Sequence, residues 1–344
     1  MSDFAKRDLI IVGAGPIGLE AAILAKREGL NYEVVEKGTI VNAIYNYPTY
    51  MMFFTTSERL EIGGHPLITA TDKPTRKEAL DYYRKVTAAE ALNLSLYTEV
   101  TRLERSGEGF VIDVSSKGQS RTLYADKVAV ATGYFDNPKL LGIPGEDLPN
   151  VSHYYSEAHP FWQRNVTIIG AGSSAADAAL DLYRGGANVT MIHRGENFRH
   201  SLKYWIRPNL ENRVKEGSIT AHFQTTVQEI TSDAVIAQKH TDTGVETVHI
   251  PTDQTFALTG YYAEPSLLEQ AGVRVGEHHV ADLNYDTFES NIPGLYVLGS
   301  AGFGTRTSDV FIENGLVHSR KAIADIVAKR TEHSKQEPAN AVLV

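Results

Sequence analysis

The stretch from Asp8 to Ala22 most constrains the fold, because it reads as a strand, a glycine-rich turn and a helix in direct succession. The apolar run Leu9 to Val12 predicts a short buried strand, and Gly13, Gly15 and Gly18 follow it with G-x-G-x-x-G spacing. In such a turn the first glycine permits the tight bend, the second admits a pyrophosphate, and the third lets the helix lie close to the strand. The stretch therefore predicts a dinucleotide-binding βα unit.

The same pattern occurs a second time in the chain. A second apolar strand, Val166 to Ile169, is followed by Gly170, Gly172 and Ala175, at a constant offset of 157 residues from the first turn. An ungapped repeat of this kind indicates a second dinucleotide site, and hence an α/β fold with two Rossmann-like domains. The pair Ser173-Ser174 lacks the G-x-S-x-G arrangement of a nucleophile, so we expect it to contact phosphate.

The two copies differ at the residue that follows their second strand. Glu36 stands there in the first copy, where a carboxylate accepts hydrogen bonds from a ribose diol, as NAD or FAD would offer. The offset places His193 and Arg194 at the positions of Glu36 and Lys37. With Arg199 they form a cationic group suited to a 2′-phosphate, which predicts NADPH in the second site. The alternative is a basic surface cluster with NADH bound instead.

Aromatic side chains crowd the connection after the first βαβ unit. The aromatic residues are Tyr45, Tyr47, Tyr50, Phe53 and Phe54, and Met51 and Met52 lie among them. The composition alone leaves two interpretations open: the wall of a site for a flat aromatic ligand, or a buried loop that packs on its own core.

The remaining pattern predicts a helix over 77–92 capped by Thr75, and a small antiparallel β layer with strands at 94–97, 100–105, 110–114 and 121–124. A buried strand, 127–133, then ends in Thr132-Gly133, which suits close approach of a nucleotide. After the second copy, Gly294 to Gly299 predicts a strand that returns to the first domain. A helix is expected over 309–328, and a polar, disordered tail from Thr331.

Composition narrows the function classes. The chain has 344 residues and a formal net charge of -9, so it has no basic excess for binding nucleic acid. No apolar run predicts a membrane span, and the twelve histidines show no metal-ligand spacing. The absence of cysteine excludes disulfides and thiolate chemistry, and it makes the cytoplasm the expected compartment.

Several segments together resemble the two-dinucleotide-binding flavoprotein reductases of the thioredoxin-reductase-like branch, and within it the YpdA group of bacillithiol disulfide reductases. The resemblance spans about residues 8 to 330. The segments that carry it are Ile44–Thr49, Phe53–Phe54, Ser57–Gly63, Ala131–Tyr134, Pro144–Pro149, Gly294–Gly299 and Phe311–Gly315.

The resemblance implies FAD in the first site, NADPH in the second, and hydride transfer from the nicotinamide to the flavin. It implies a discontinuous FAD-binding domain (1–137 and 262–330), an inserted NADPH-binding domain (138–261), a tail (331–344) and a homodimer. A helix beginning near Glu313 would direct its N-terminal dipole toward the flavin. The implied FAD contacts are Gly13, Gly15, Pro16, Gly18, Glu36, Lys37, Tyr45, Tyr47, Val100, Thr132, Gly133, Gly299 and Glu313.

Departures from the family pattern limit the chemistry. The Cys-x-x-Cys pair of thioredoxin reductases is absent, and Ile17 stands where YpdA-group members carry a single cysteine. Ser300 replaces the aspartate that many relatives carry after Gly299. We therefore expect an NADPH-dependent FAD oxidoreductase of the YpdA type without a cysteine relay, acting on a small-molecule disulfide. The alternatives are an NADPH:ferredoxin or flavodoxin reductase, and a non-catalytic redox sensor that binds both nucleotides.

Overall fold

The computed structural model describes residues 6–199 and 202–336. The described chain divides into two compact units. Unit 1 comprises the residues up to Tyr45, Met52–Asn137 and the residues from Tyr261 onward, and unit 2 comprises Asn46–Met51 and Pro138–Gly260. Each unit is built around its own parallel sheet.

The strands are β1 (Arg7–Val12), β2 (Tyr32–Val35), β3 (Leu94–Ser95), β4 (Glu99–Ser106), β5 (Gly109–Ser116), β6 (Gln119–Val130), β7 (Val151–Ser152), β8 (Asn165–Ile169), β9 (Asn188–Ile192), β10 (Ile219–His222), β11 (Thr225–Ile230), β12 (Ala234–Thr241), β13 (Gly244–Pro251), β14 (Gln254–Ala257) and β15 (Leu295–Val297). The helices are α1 (Pro16–Arg27), α2 (Asn42–Tyr45), α3 (Arg76–Ala89), α4 (Ser173–Arg184), α5 (Arg207–Lys215), α6 (Ser266–Gln270) and α7 (Ile312–Gln336).

The sheet of unit 1 has seven strands in the order β3-β2-β1-β6-β5-β4, and β15 also pairs with β6. Strands β3, β2, β1, β6 and β15 run parallel, while β5 and β4 are antiparallel additions. Val12, the last residue of β1, pairs with Val35 and Val130, so three strands end at one edge beside the first glycine turn. This edge is where ligands bind in open α/β sheets.

Strand β6 corrects the predicted division into strands, while the antiparallel pairing of β4, β5 and β6 is as predicted. The predicted strand 121–124 and residues 127–130 of the predicted strand 127–133 lie in this one strand, whose first half pairs with β5 and whose second half pairs with β15. No glycine or proline interrupts the run, so the antiparallel strands extend the main sheet. The predicted strand 94–97 shortens to Leu94–Ser95.

Helix α3 confirms the predicted cap. The Thr75 side chain accepts a hydrogen bond from the Glu78 amide, and the Glu78 carboxylate accepts from the Thr75 amide. This reciprocal capping box fixes the start of the helix. The helix ends at Ala89, three residues before the predicted end at Leu92.

Helix α7 corrects the predicted tail. It begins at Ile312 instead of Asp309 and continues to Gln336, so residues 331–336 are helical and not disordered. Its inner face includes Ala322, Ile323 and Ile326, all buried. That apolar face anchors the helix and lets the polar last turns extend from it. The remainder of the predicted tail, 337–344, lies outside the described residues.

Unit 2 repeats the topology of unit 1. Its parallel sheet has five strands in the order β10-β9-β8-β14-β7, and a separate three-stranded antiparallel sheet has the order β11-β12-β13. Helix α4 packs on one face of the parallel sheet through an alanine-rich surface. The three-stranded sheet contributes Val227, Val235 and Ala237 to a cluster that includes Ile169 and Ile192, the last residues of β8 and β9.

The two copies match residue for residue at the predicted offset. Helix α1 spans Pro16–Arg27 and helix α4 spans Ser173–Arg184, which is a shift of 157 at both ends. Strands β2 and β9 end at Val35 and Ile192, with the same shift. The α/β fold with two Rossmann-like units is thereby confirmed. None of the helices in the described part of the chain is both long and apolar enough to cross a membrane.

Candidate functional site

The first glycine turn has the geometry that its spacing predicts. Gly13 has φ +109°, and a Cβ placed there would lie 2.5 Å from the Ala131 carbonyl oxygen. A Cβ at Gly18 would collide with the Gly13 carbonyl oxygen. At Gly15, by contrast, no atom lies within 4 Å of such a Cβ. Two glycines thus permit close packing, and the third leaves open space in front of the first turn of α1, where an anion can approach the amides.

Glu36 binds the glycine turn directly. Its two carboxylate oxygens accept hydrogen bonds from the Ala14 amide at 2.8 Å and the Gly38 amide at 2.7 Å. The residue is only 7% exposed, and this burial, followed by the nearby charge of Asp136, raises the pKa of its carboxyl group. Each oxygen keeps one free lone pair, so the carboxylate can still accept a hydrogen bond from a ribose hydroxyl.

The second turn reproduces the first. Gly170 has φ +138°, and a Cβ there would collide with the Leu258 carbonyl oxygen, just as Gly13 faces that of Ala131. Gly172 matches Gly15, with no atom within 4 Å of an added Cβ. Ala175 is fully buried at the position of Gly18. The Ser173-Ser174 pair forms the start of α4, where Ser173 is half-buried and Ser174 is exposed.

The basic residues of the second copy follow β9. The His193 amide donates to the His222 carbonyl at 2.9 Å, which fixes this loop beside the end of β10. Burial, then the charges of Arg199 and Arg194, lower the pKa of His193. Arg194 and Arg199 thus both lie close enough to affect the charge of His193, and both arginines are exposed. Such a group gains from an anion that neutralises it.

Ile17 is wedged between α7 and the end of β15. If Gly299 carried a Cβ, that atom would lie 2.5 Å from the Cδ1 of Ile17. A Cβ on Gly315 would lie at the same distance from this Cδ1. The Ser319 hydroxyl donates to the Ile17 carbonyl oxygen at 2.8 Å. The Ile17 side chain thus fills space that two glycines leave, and it helps to hold α1 against α7.

His318 is a residue that no sequence pattern pointed to. Its Nδ1 accepts a hydrogen bond from the Gly299 amide at 3.1 Å, and its ring stacks on Phe288 with centroids 3.7 Å apart. Burial, then the charge of Lys321, lowers the pKa of His318 to about 4. The ring is therefore neutral near pH 7 and carries its proton on Nε2. It fixes the Gly299 turn, where φ is +63°.

The other predicted contacts of the first site differ in exposure. Lys37 forms an ion pair with Asp136 at 2.9 Å. Tyr45 is 54% exposed, with the Arg76 guanidinium 5.6 Å from its ring centroid. Val100 packs against the apolar core. Three further residues, Tyr50, Met52 and Phe54, are exposed, so the aromatic connection is not simply a buried loop.

Five predicted residues remain. Pro16 is the first residue of α1, and Glu313 lies in the first turn of α7. Thr132 is exposed and Gly133 has φ +73°, just beyond the end of β6. Tyr47 lies in unit 2, apart from the other predicted FAD contacts, which lie in unit 1.

Both turns fit a dinucleotide. Each offers open space at its second glycine and the free amides of a helix of twelve residues. Within the described residues, no group of three or more His, Cys, Asp or Glu side chains is arranged to hold a metal ion.

Comparisons with known proteins agree with this geometry. Residues 10–299 match the family described as pyridine nucleotide-disulphide oxidoreductase. Bacilliredoxin reductase Bdr from Bacillus subtilis is 39% identical over 325 residues, covering 94% of this chain and 98% of that protein. The structure of bacillithiol disulfide reductase Bdr (YpdA) from Bacillus cereus superposes with a TM-score of 0.91 at 39% identity, covering 94% of this chain and 100% of that one.

A more distant relative is named for a different electron acceptor. Ferredoxin–NADP reductase from Ignicoccus hospitalis is 27% identical over 303 residues, which cover 85% of this chain and 89% of that protein. The chain is a FAD-dependent oxidoreductase, and FAD and NADPH are the cofactors that its family uses. It belongs to the pyridine nucleotide-disulphide oxidoreductase family, within the group that contains Bdr (YpdA).

Proposed function

We propose that this chain oxidises NADPH and passes the electrons through FAD to an acceptor, with FAD in unit 1 and NADPH in unit 2. The observation that carries the proposal is the contrast at one equivalent position of two matching βαβ units. A buried carboxylate, Glu36, follows β2, whereas His193 and Arg194 follow β9. A carboxylate accepts from a free ribose diol and repels a 2′-phosphate, while the cationic pair attracts one.

In this proposal the residues of unit 1 bind and orient the flavin nucleotide. When bound, FAD accepts a hydride from NADPH and gives up electrons to the acceptor. The amides of α1 beyond Gly15 bind the diphosphate, and Glu36 accepts from the ribose. The first turn of α7, which contains Glu313, would stabilise negative charge on a flavin bound near its amides. His318 acts indirectly, by fixing the Gly299 turn.

For the acceptor we propose a low-molecular-weight disulfide. The Bacillus cereus relative carries this activity in its name, and its 39% identity, with 94% of this chain covered, supports a shared acceptor class. The Bacillus subtilis relative is named as a reductase of bacilliredoxin instead. The balanced reaction is RSSR + NADPH + H⁺ → 2 RSH + NADP⁺. With no cysteine in the chain, no mixed disulfide with the protein can form, so the electrons pass directly from the flavin.

A second candidate is an NADPH:ferredoxin or flavodoxin reductase. It is favoured by the lack of cysteine, since transfer of single electrons to a protein requires no thiol, and by the ferredoxin–NADP reductase relatives. The two candidates share the nucleotide sites and differ only in the acceptor.

Stopped-flow spectroscopy under anaerobic conditions distinguishes these functions. The FAD-loaded enzyme is reduced with one equivalent of NADPH and then mixed with bacillithiol disulfide, ferredoxin or flavodoxin. Rapid reoxidation by the disulfide supports the first proposal. Reoxidation by the iron–sulfur or FMN protein alone replaces it with the second. If NADPH does not bleach the flavin, neither enzyme function stands and a nucleotide-binding redox sensor becomes the better description.

We also propose that the protein forms a homodimer, on the ground of the family resemblance. The cytoplasm is its proposed compartment, on the ground of the absence of cysteine. Light scattering during size-exclusion chromatography would test the dimer. A mass equal to the chain's 37.8 kDa would contradict it.

A further inference from the structure

The three-stranded sheet of unit 2 carries a lysine, Lys239, on the strand pair that is hydrogen-bonded to the loop after β9. Val235 and Ala237 lie on the face of β12 that packs against Ile169 and Ile192, at the ends of β8 and β9. Because side chains alternate along a strand, Lys239 lies on the same face, one position further along. Lys239 is half-buried and follows the buried residues Val235 and Ala237 on this face.

Backbone hydrogen bonds bring this end of the sheet to that loop. The Thr225 amide donates to the His193 carbonyl at 3.0 Å, and the Gln224 amide donates to the Gly195 carbonyl at 2.9 Å. Thr225 is the register partner of Lys239 across β11 and β12. The loop that carries the predicted phosphate ligands is therefore joined, through one residue of β11, to the strand position of Lys239.

His222 lies between them. It is the last residue of β10 and the register partner of Ile192, so both side chains lie on the sheet face that the three-stranded sheet covers. Burial lowers the pKa of His222, and the charge of Lys239 lowers it further, which puts the ammonium group in electrostatic range of the imidazole.

The cationic side chains of this region are not held in close ion pairs. In the described ranges, Arg194, Arg199 and Lys239 form no ion pair within 4.0 Å, although the chain as a whole carries a net charge of -9. Glu246, the exposed register partner of Lys239 on β13, lies opposite it on the same face of the sheet without forming such a pair. Like charges at close range repel one another, and a bound dianion converts that repulsion into charge-assisted hydrogen bonds.

We propose that Lys239 and His222 bind the 2′-phosphate of NADPH together with His193, Arg194 and Arg199, so that the three-stranded sheet supplies part of the specificity for NADPH over NADH. The inference rests on the proposed binding of NADPH in unit 2. The recognised group is a phosphate monoester, which a nucleotide or free phosphate could supply. The test therefore includes both.

Calorimetric titration of the FAD-loaded protein measures this without turnover. The probes are 2′,5′-ADP, 5′-AMP and inorganic phosphate, and the variants are Lys239→Gln, Lys239→Arg, His222→Gln and the control Lys215→Gln, at the exposed end of α5. We expect Lys239→Gln to weaken 2′,5′-ADP binding about tenfold or more, and His222→Gln to weaken it severalfold. Binding of 5′-AMP should not change. Lys239→Arg and Lys215→Gln should retain wild-type affinity.

Each contrary outcome has a separate meaning. If the wild type prefers 2′,5′-ADP but Lys239→Gln binds it equally well, the role of Lys239 is overturned, while NADPH binding stands. If the wild type binds 2′,5′-ADP and 5′-AMP equally, the proposed NADPH function itself fails. If inorganic phosphate binds as tightly as 2′,5′-ADP, with the same dependence on Lys239, the site is one for free phosphate and the nucleotide assignment is wrong.

Discussion

At the scale of single residues, a buried carboxylate can fix a loop while also serving a ligand. Glu36 accepts one amide on each oxygen and joins the glycine turn to the segment after β2. A glutamine side chain in place of Glu36 would direct its NH₂ group at the backbone amide of either Ala14 or Gly38. The site would then lose both a charge-assisted hydrogen bond and the shape of the turn.

Glu36→Gln should therefore weaken FAD binding by about 2 kcal/mol, or roughly 30-fold. Fluorescence titration of the apoprotein with FAD measures the change. Glu146→Gln is a matched control, because Glu146 also accepts two backbone amides, from Leu141 and Gly142 in unit 2. Equal FAD affinity of Glu36→Gln and wild type would contradict a ligand-binding role for Glu36.

His318 makes folding stability depend on pH. The ordinary histidine pKa is 6.5, and in the folded protein it falls to about 4. As the pH falls from 7.5 to 5, the unfolded chain takes up a proton at this position and the folded chain does not. Stability is therefore lost on acidification, by about 2 kcal/mol from this group.

His318→Asn should remove that part of the pH dependence, because the amide oxygen can still accept from Gly299 but does not titrate. Chemical denaturation at pH 7.5 and pH 5 measures the difference. The exposed His240→Asn serves as the control and should follow the wild type. A His318→Asn protein that loses as much stability as wild type between the two values would show that other groups cause the loss.

At the scale of elements, Ile17 couples α1 to α7. Alanine at a helix-interior glycine normally stabilises by about 1 kcal/mol, but at Gly315 its methyl group would meet Ile17 Cδ1. We expect Gly315→Ala to destabilise the wild type by about 1–3 kcal/mol and to stabilise the Ile17→Ala variant. Denaturation of the four FAD-loaded proteins gives the coupling energy. If the stability effects of Gly315→Ala and Ile17→Ala add within about 0.5 kcal/mol, the two positions are not coupled through this contact.

The elements also show what the sequence could and could not predict. The glycine turns and their flanking elements follow the predicted 157-residue offset, because a Cβ would collide with a backbone oxygen at Gly13, Gly18 and Gly170. The predicted break between strands 121–124 and 127–133 was wrong, since β6 passes through Ala125 and Asp126 without a glycine or proline. His318 and Lys239 carried no local signal, because pairing across distant strands and helices brings them to their sites.

At the scale of the whole molecule, one fold occurs twice with opposite charge at the residues that follow β2 and β9. If that charge determines the nucleotide, the pair Glu36-Lys37 transplanted onto unit 2 as His193→Glu with Arg194→Lys should invert the preference. We expect the ratio of NADPH to NADH efficiency in flavin reduction to fall by about 100-fold, which corresponds to roughly 3 kcal/mol. FAD content is the control and should not change. An unaltered ratio would contradict the assignment of the second site.

The hydrogen bond between Ser319 and Ile17 joins residues that are 302 positions apart, and it has a consequence for the order of folding. During synthesis the residues of unit 2 between Pro138 and Gly260 are complete before Gly299, His318 and Ser319 exist. Domains fold as units as they emerge from the ribosome, so the inserted unit can fold while the first unit still lacks β15 and α7. We therefore expect the flavin to be acquired late, after nearly the whole chain has been made.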